Sequence, residues 1–188
     1  MTISSENREK VAKFLQHYGD FFAFWSTFDL IIEIMIMRKL GIDEEETCIV
    51  CAGLGFGMKV AILKSLMNRH PDSAAHVADI EKAQNLAARN SFAHGFFMLN
   101  RSTAEFKLIR RAVKDHYTAT TKHYNDATME KHTKDFIAHV NEMMKTFLIT
   151  EDEIEDYIKR IEAYALAQVA EDKHHPSPPT SSKKATKK

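Results

Sequence analysis

Apolar residues return every three to four positions from Phe14 through Tyr18, Phe21, Trp25, Phe28, Ile32 and Met35 to Leu40, a helical period held for about ten turns. Ser4 or Ser5 supplies an N-cap, and Gly41 has the position of a C′ glycine. Asp43 with Glu46 three residues on has the form of a capping box. A short apolar segment through Cys48 and Cys51 then reaches Gly53, Gly55 and Gly57. A helix follows from about Met58 to Asn68, with Val60, Leu63 and Met67 on one stripe. Another opens at Pro71-Asp72, carries Val77, Ile80, Gln84 and Ala87, and is closed by Gly95. Asn125 or Asp126 caps a helix with Met129, Phe136, Val140, Met143 and Phe147 inside, and Thr150 with Glu153 caps a last one through Ile154, Tyr157, Ile161 and Tyr164. Between them, residues 96–124 mix a helical spacing (Phe106, Ile109, Val113) with threonines that suit extended chain, and read as a hairpin or irregular excursion.

The pattern predicts an all-α protein, a compact up-and-down bundle of four to five helices with that short insertion. Composition agrees: six Gly and four Pro in 188 residues leave few breakers for a strand-and-turn fold. One domain is expected over residues 1–172, followed by a disordered Pro/Ser/Lys-rich tail over 173–188 that has nothing to bury. The 26 basic and 26 acidic groups cancel, but Lys173, Lys183, Lys184, Lys187 and Lys188 lie in the tail. The part before residue 173 therefore carries 21 basic against 26 acidic groups, which removes any uniform positive field. Two cysteines argue against a disulfide-stapled scaffold, the polar start is unlike a signal peptide, and Asp29 and Glu33 interrupt the most apolar run. A cytoplasmic protein without a membrane segment is the expectation.

Most candidate chemistry dissolves on inspection. Cys48 and Cys51 have redox or zinc spacing, but no second pair exists, so two buried small apolar residues are expected. The glycines at 53, 55 and 57 lack the third Gly of a dinucleotide loop and any following Gly-Lys-Ser/Thr; they read as a tight helix connection. None of the ten histidines forms a ligand set: His70 with His76, and His132 with His139, read as surface imidazoles, and neither metal nor cofactor is expected. Asp29 and Glu33, one turn apart on an apolar helix, either face solvent or require a cation, for which a buried arginine is the candidate.

One stretch stands apart. Arg89-Asn90-Ser91-Phe92-Ala93-His94-Gly95 sets a guanidinium and an imidazole near the end of a helix, just before its glycine stop. It resembles the Arg-polar-x-x-x-His motif of the HEPN (higher eukaryotes and prokaryotes nucleotide-binding) superfamily. Phe56-Gly57-Met58-Lys59-Val60 is also similar to the start of the second long helix in several HEPN groups. The resemblance covers about residues 8–170. It implies a helical homodimer with facing motifs and, in active members, a metal-independent endoribonuclease, often a toxin or defence component with a cognate antitoxin or other protein partner. Others are non-catalytic dimerisation or partner-binding modules.

On that resemblance His94 is the acid/base, Arg89 the phosphate clamp and Asn90 a residue that orients the imidazole or bonds the ribose, with Asp29 or Glu33 positioning Arg89. Cleavage by the RNA's own 2′-hydroxyl needs a proton carrier near neutral pH and a fixed cation on the phosphate, which are the talents of these two residue types. Asn90 and His94 share a helix face, whereas Arg89 lies about 140° round from His94, a gap that a two-fold dimer closes. The cationic run Arg101, Lys107, Arg110 and Arg111 directly after the motif is the candidate RNA-binding surface.

Overall fold

The computed structural model describes residues 3–87, 92, 95–113 and 117–174, with side chains given outside 111–118 and 168–174. Helix α1 runs over Ser5–Leu40, capped by the Ser4 hydroxyl on the Asn7 amide and ended by Gly41, whose φ of 67° is the left-handed turn a Cβ resists. The Asp43–Glu46 capping box opens α2 (Glu44–Cys51). Gly53, at φ 75°, begins the sharp connection to α3 (Phe56–Met67), and the two helix axes differ by 120°. The single helix expected from Pro71 is two pieces, a turn α4 (Pro71–Ala74) and α5 (Val77–Ala87). The Ser73 hydroxyl, buried, donates to the carbonyls of Met67 and His70 and stabilises the break between α3 and α5.

The fold is mostly helical but not all-α. Residues 96–124 contain an antiparallel meander in the order β1-β2-β3: β1 (Phe96–Asn100), β2 (Glu105–Val113) and β3 (Tyr117–Tyr124). Phe106, Ile109 and Val113 suggest a helical stripe, yet the strand period wins. Phe97, Leu99, Phe106, Leu108 and Tyr124 fall on one face by register and pack towards the helices. The Asn125 capping box then starts α6 (Asp126–Thr146), and α7 (Glu151–His174) follows a short turn. Arg38 at the end of α1 ties that turn down: its guanidinium donates to the carbonyls of Phe147 and Leu148 and forms a two-point pair with Glu153.

Helix α1 is the spine. Its buried Phe14, Phe21, Phe28, Ile31, Ile32 and Ile36 meet α6, α3 and the sheet in one continuous core. Among the described residues, no single helix is long and apolar enough to cross a membrane. The predicted tail beyond His174 lies outside the described residues.

Candidate active site

Arg89, Asn90 and His94 lie outside the described residues, but the middle of their motif does not. Phe92 is 1% exposed. Its ring is enclosed by Phe21 (centroids 5.0 Å), His132 (5.2 Å) and Tyr124 (5.4 Å), with Tyr18 and Phe97 at 6.2 Å. The Tyr18 hydroxyl donates to the Phe92 carbonyl at 3.2 Å. Side chains from α1, α6, β1 and β3 thus converge on the central residue of the motif. A fully buried phenyl ring contributes up to about 3 kcal/mol of hydrophobic stabilisation.

The same aromatic cage continues under the sheet, where Phe14 stacks on Phe106 at 3.8 Å and meets Phe97 edge-on at 5.8 Å. His132, expected at the surface, is half-buried in this cage with its Nε2 shielded and unbonded. Burial and the nearby Lys122 hold its pKa below the ordinary 6.5, while Asp135 and a backbone hydrogen bond to Leu86 pull the other way. His139 is likewise half-buried, its Nε2 2.9 Å from the Asp79 carbonyl oxygen. The meander begins one residue after the motif's Gly95.

Strand alternation divides the predicted cationic run. Lys107 belongs by register to the outward face, with Met98, Ile109 and His123, whereas Arg110 shares the parity of Phe106 and Leu108; the Arg111 side chain lies outside the described residues. Arg110 is nevertheless exposed, and Arg101 sits exposed in the turn between β1 and β2. Lys107 and Arg110 therefore do not share one face of the sheet. Arg101, Lys107, Arg110 and Lys122 make no ion pair with the described residues.

Asp29 and Glu33 belong to a second constellation. The cation they require is a lysine rather than an arginine: Lys59 of α3, its side chain 8% exposed, donates to Asp29 Oδ2 at 2.8 Å and to Glu33 Oε1 at 2.5 Å. Tyr157 of α7 donates its hydroxyl to Glu33 Oε2 at 2.9 Å. Burial opposes the Lys59 charge, but hydrogen bonds and Coulomb attraction from the two carboxylates outweigh it and raise its pKa. Burial, then the Glu33 charge, raises the Tyr157 phenol far above its usual range. The same two causes push the adjacent Cys51 thiol up to about 11 and also raise Cys48, so neither is a ready nucleophile at neutral pH.

Lys59, Leu63 and Met67 repeat every four residues on the buried face of α3. A lone lysine on that stripe, opposite two acids on the stripe of α1, is the sequence signal for the pairing. Asp29 is eight residues beyond Phe21, about 12 Å further along α1, and Glu33 about 18 Å. The cluster and the Phe92 anchor therefore occupy different levels of the molecule, and the Lys59 pairing occupies the carboxylates proposed to hold Arg89.

Among the described residues, no group of three or more His, Cys, Asp or Glu is placed to hold a metal. A cleft of about 390 Å³ between α2 and α7, lined by Asp43, Glu44, Glu45, Cys48 and Arg160 among others, touches none of the motif-side residues. Compared with known proteins, the chain matches no family model, no curated protein and no solved structure.

Proposed function

We propose that the chain is a metal-independent endoribonuclease of HEPN type that acts in the cytoplasm as a homodimer. His94 moves the proton between the attacking 2′-hydroxyl and the leaving 5′-oxygen, Arg89 neutralises the charge gathering on the phosphate, and Asn90 orients the imidazole. The products carry 2′,3′-cyclic phosphate ends. The supporting observation is the buried Phe92. Its ring and carbonyl are held by four elements, and the strand pair that begins at Phe96 carries Lys107, which has no ion pair among the described residues. Preorganisation of this kind is what positions a general acid or base. The resemblance adds a role as a toxin or defence component held in check by an antitoxin.

Incubating the purified protein with end-labelled RNA in EDTA tests the reading. Cleavage to cyclic phosphate ends that His94→Ala and Arg89→Ala each abolish is the expected outcome, and cleavage unaffected by His94→Ala removes the assignment.

A second reading is a non-catalytic dimerisation or partner-binding module. It draws on Ile49 (64% exposed), Val50 and Met58 (56%), which present apolar surface on α2 and the start of α3. It requires an associated state weakened by substitutions there and no turnover. Sedimentation of the wild type against Ile49→Asp separates the two readings.

A further inference from the structure

We infer that the outward face of the meander is a platform for single-stranded RNA, with one unstacked base seated beside Met98, Lys107 and His123. The inference takes its ligand class from the ribonuclease reading and adds a place and a strandedness to it.

The register lays Met98, Lys107 and His123 side by side across β1, β2 and β3, and lays Phe96, Ile109 and Thr121 in the next row of the same face. Met98 is 58% exposed, so its row offers apolar surface on the side away from the core. A groove of about 230 Å³ is cut into this face, lined by Met98, Leu99, Asn100, Glu105, Lys107 and His123. That is several times the share of one water molecule, about 30 Å³.

Its polar groups are of the kinds that read a base edge. Asn100 Oδ1 accepts from the Ser102 amide (3.1 Å) and hydroxyl (2.7 Å), which fixes the side chain and leaves its NH₂ as a donor. Glu105 Oε2 takes the Thr103 hydroxyl at 3.2 Å, leaving Oε1 as an acceptor.

Charge selects a polyanion as the occupant. Lys10, Lys13, Lys131, Lys134, Lys145 and Lys159 on the helices each pair with a carboxylate one turn away. Among the described residues Lys107 makes no ion pair although Glu105 is two residues away, nor does Arg101 at the end of the same hairpin; on the helices Lys39 and Lys82 are likewise without one, but neither lies beside an apolar groove with base-edge groups. In a protein whose globular part carries excess acid, the cations left unneutralised are those that attract phosphate.

Strandedness follows from what the face displays. A duplex hides its base faces and is recognised through backbone phosphates, for which cations would be spread along one surface; here alternation sends Arg110 and Lys122 to the other side. An apolar row beside a lysine and base-edge donors matches an unpaired strand instead.

The test is fluorescence anisotropy with a labelled 2′-O-methyl 12-mer, which has no 2′-hydroxyl to attack, alone or annealed to its complement. The full-length wild type is expected to bind the single strand at least tenfold more tightly than the duplex. Lys107→Glu is expected to weaken that binding about tenfold and to flatten its salt dependence, and Met98→Ala to weaken it about fivefold. Both side chains are exposed, so the thermal midpoint of each variant should match wild type, which separates lost binding from lost structure.

Equal affinity for duplex and single strand, or wild-type affinity in Lys107→Glu, overturns the platform even where His94-dependent cleavage of ordinary RNA stands. Lys107-dependent binding by a wild type that cuts nothing upholds the platform and defeats the ribonuclease reading.

Discussion

The Lys59 cluster and the Phe92 anchor are both buried polar-aromatic constellations on α1, and they use their charges in opposite ways. Around Lys59 the cation meets two carboxylates and a phenol hydroxyl joins one of them, so the chemistry is consumed in joining α1, α3 and α7. Around Phe92 the contacts are rings and one hydrogen bond to a backbone carbonyl, and Arg101, Lys107, Arg110 and Lys122 of the adjoining meander are exposed and make no ion pair among the described residues. A buried ion cluster that pairs its own members gives specificity of packing; here Asp29 Oδ1 alone has no hydrogen-bond partner among the described residues. On the proposed function, the difference gives a structural part to one level of the molecule and leaves the other for the ligand.

The comparison is broken most directly at its apolar end. Phe92→Ala removes a ring that four elements enclose, and the expected loss of stability is about 3–5 kcal/mol, read from urea unfolding. Cleavage of RNA should disappear with it. A loss under about 1 kcal/mol means that the motif is not anchored as described, and the functional contrast falls with it.

A somewhat smaller effect is expected from Lys59→Met, which leaves two carboxylates facing each other without a cation. Breaking a buried pair costs about 3–5 kcal/mol, and because the Asp29 side chain is 24% exposed we expect about 2–4 kcal/mol. Adding Asp29→Asn and Glu33→Gln should restore most of it, since the penalty belongs to the uncompensated charges. Lys107→Met on the meander should change stability by no more than about 0.5 kcal/mol. If the two lysines cost the same, the division between committed and uncommitted charge is wrong.

Legibility in the sequence follows the same division. Caps written by neighbouring residues were readable: Ser4, Gly41, Asp43 with Glu46, Asn125 and Thr150 all act locally, and each is found at its helix end. The meander was visible only as a hairpin or irregular excursion. Phe106, Ile109 and Val113 fit a helical period, and what decides for strands is pairing with residues as distant as Tyr124.

Pro71-Asp72 marked a helix start correctly, but the helix stops after Ala74, where the Ser73 hydroxyl reaches back to the Met67 carbonyl, a contact no periodicity announces. For the charges, Asp29 and Glu33 declared their need of a cation, and its identity was harder to read because Lys59 is thirty residues away from Asp29. Of the candidate site, the anchor Phe92 was within the motif but unremarked, since one apolar residue in a helical stretch looks like any other. Conversely, the basic run looked continuous along the chain and is divided by the two-residue period of a strand.

The smallest effect concerns His132, which touches the motif anchor without carrying charge into it. Its pKa is held below the ordinary 6.5, first by burial and then by Lys122. In the unfolded chain the imidazole protonates near 6.5; in the folded protein it does so only at lower pH. Below about 6.5 the unfolded state therefore binds more protons, and stability falls as pH drops through the folded value, with no contribution above 6.5.

Thermal midpoints measured between pH 7.5 and 5 should accordingly decline more steeply in wild type than in His132→Phe, which keeps the aromatic contacts with Phe21 and Phe92 and removes the titration. Parallel declines place the acid response elsewhere in the molecule. A steeper wild-type decline shows that the cage beneath the motif must stay neutral to hold Phe92, which is the condition the contrast with the charged Lys59 cluster requires.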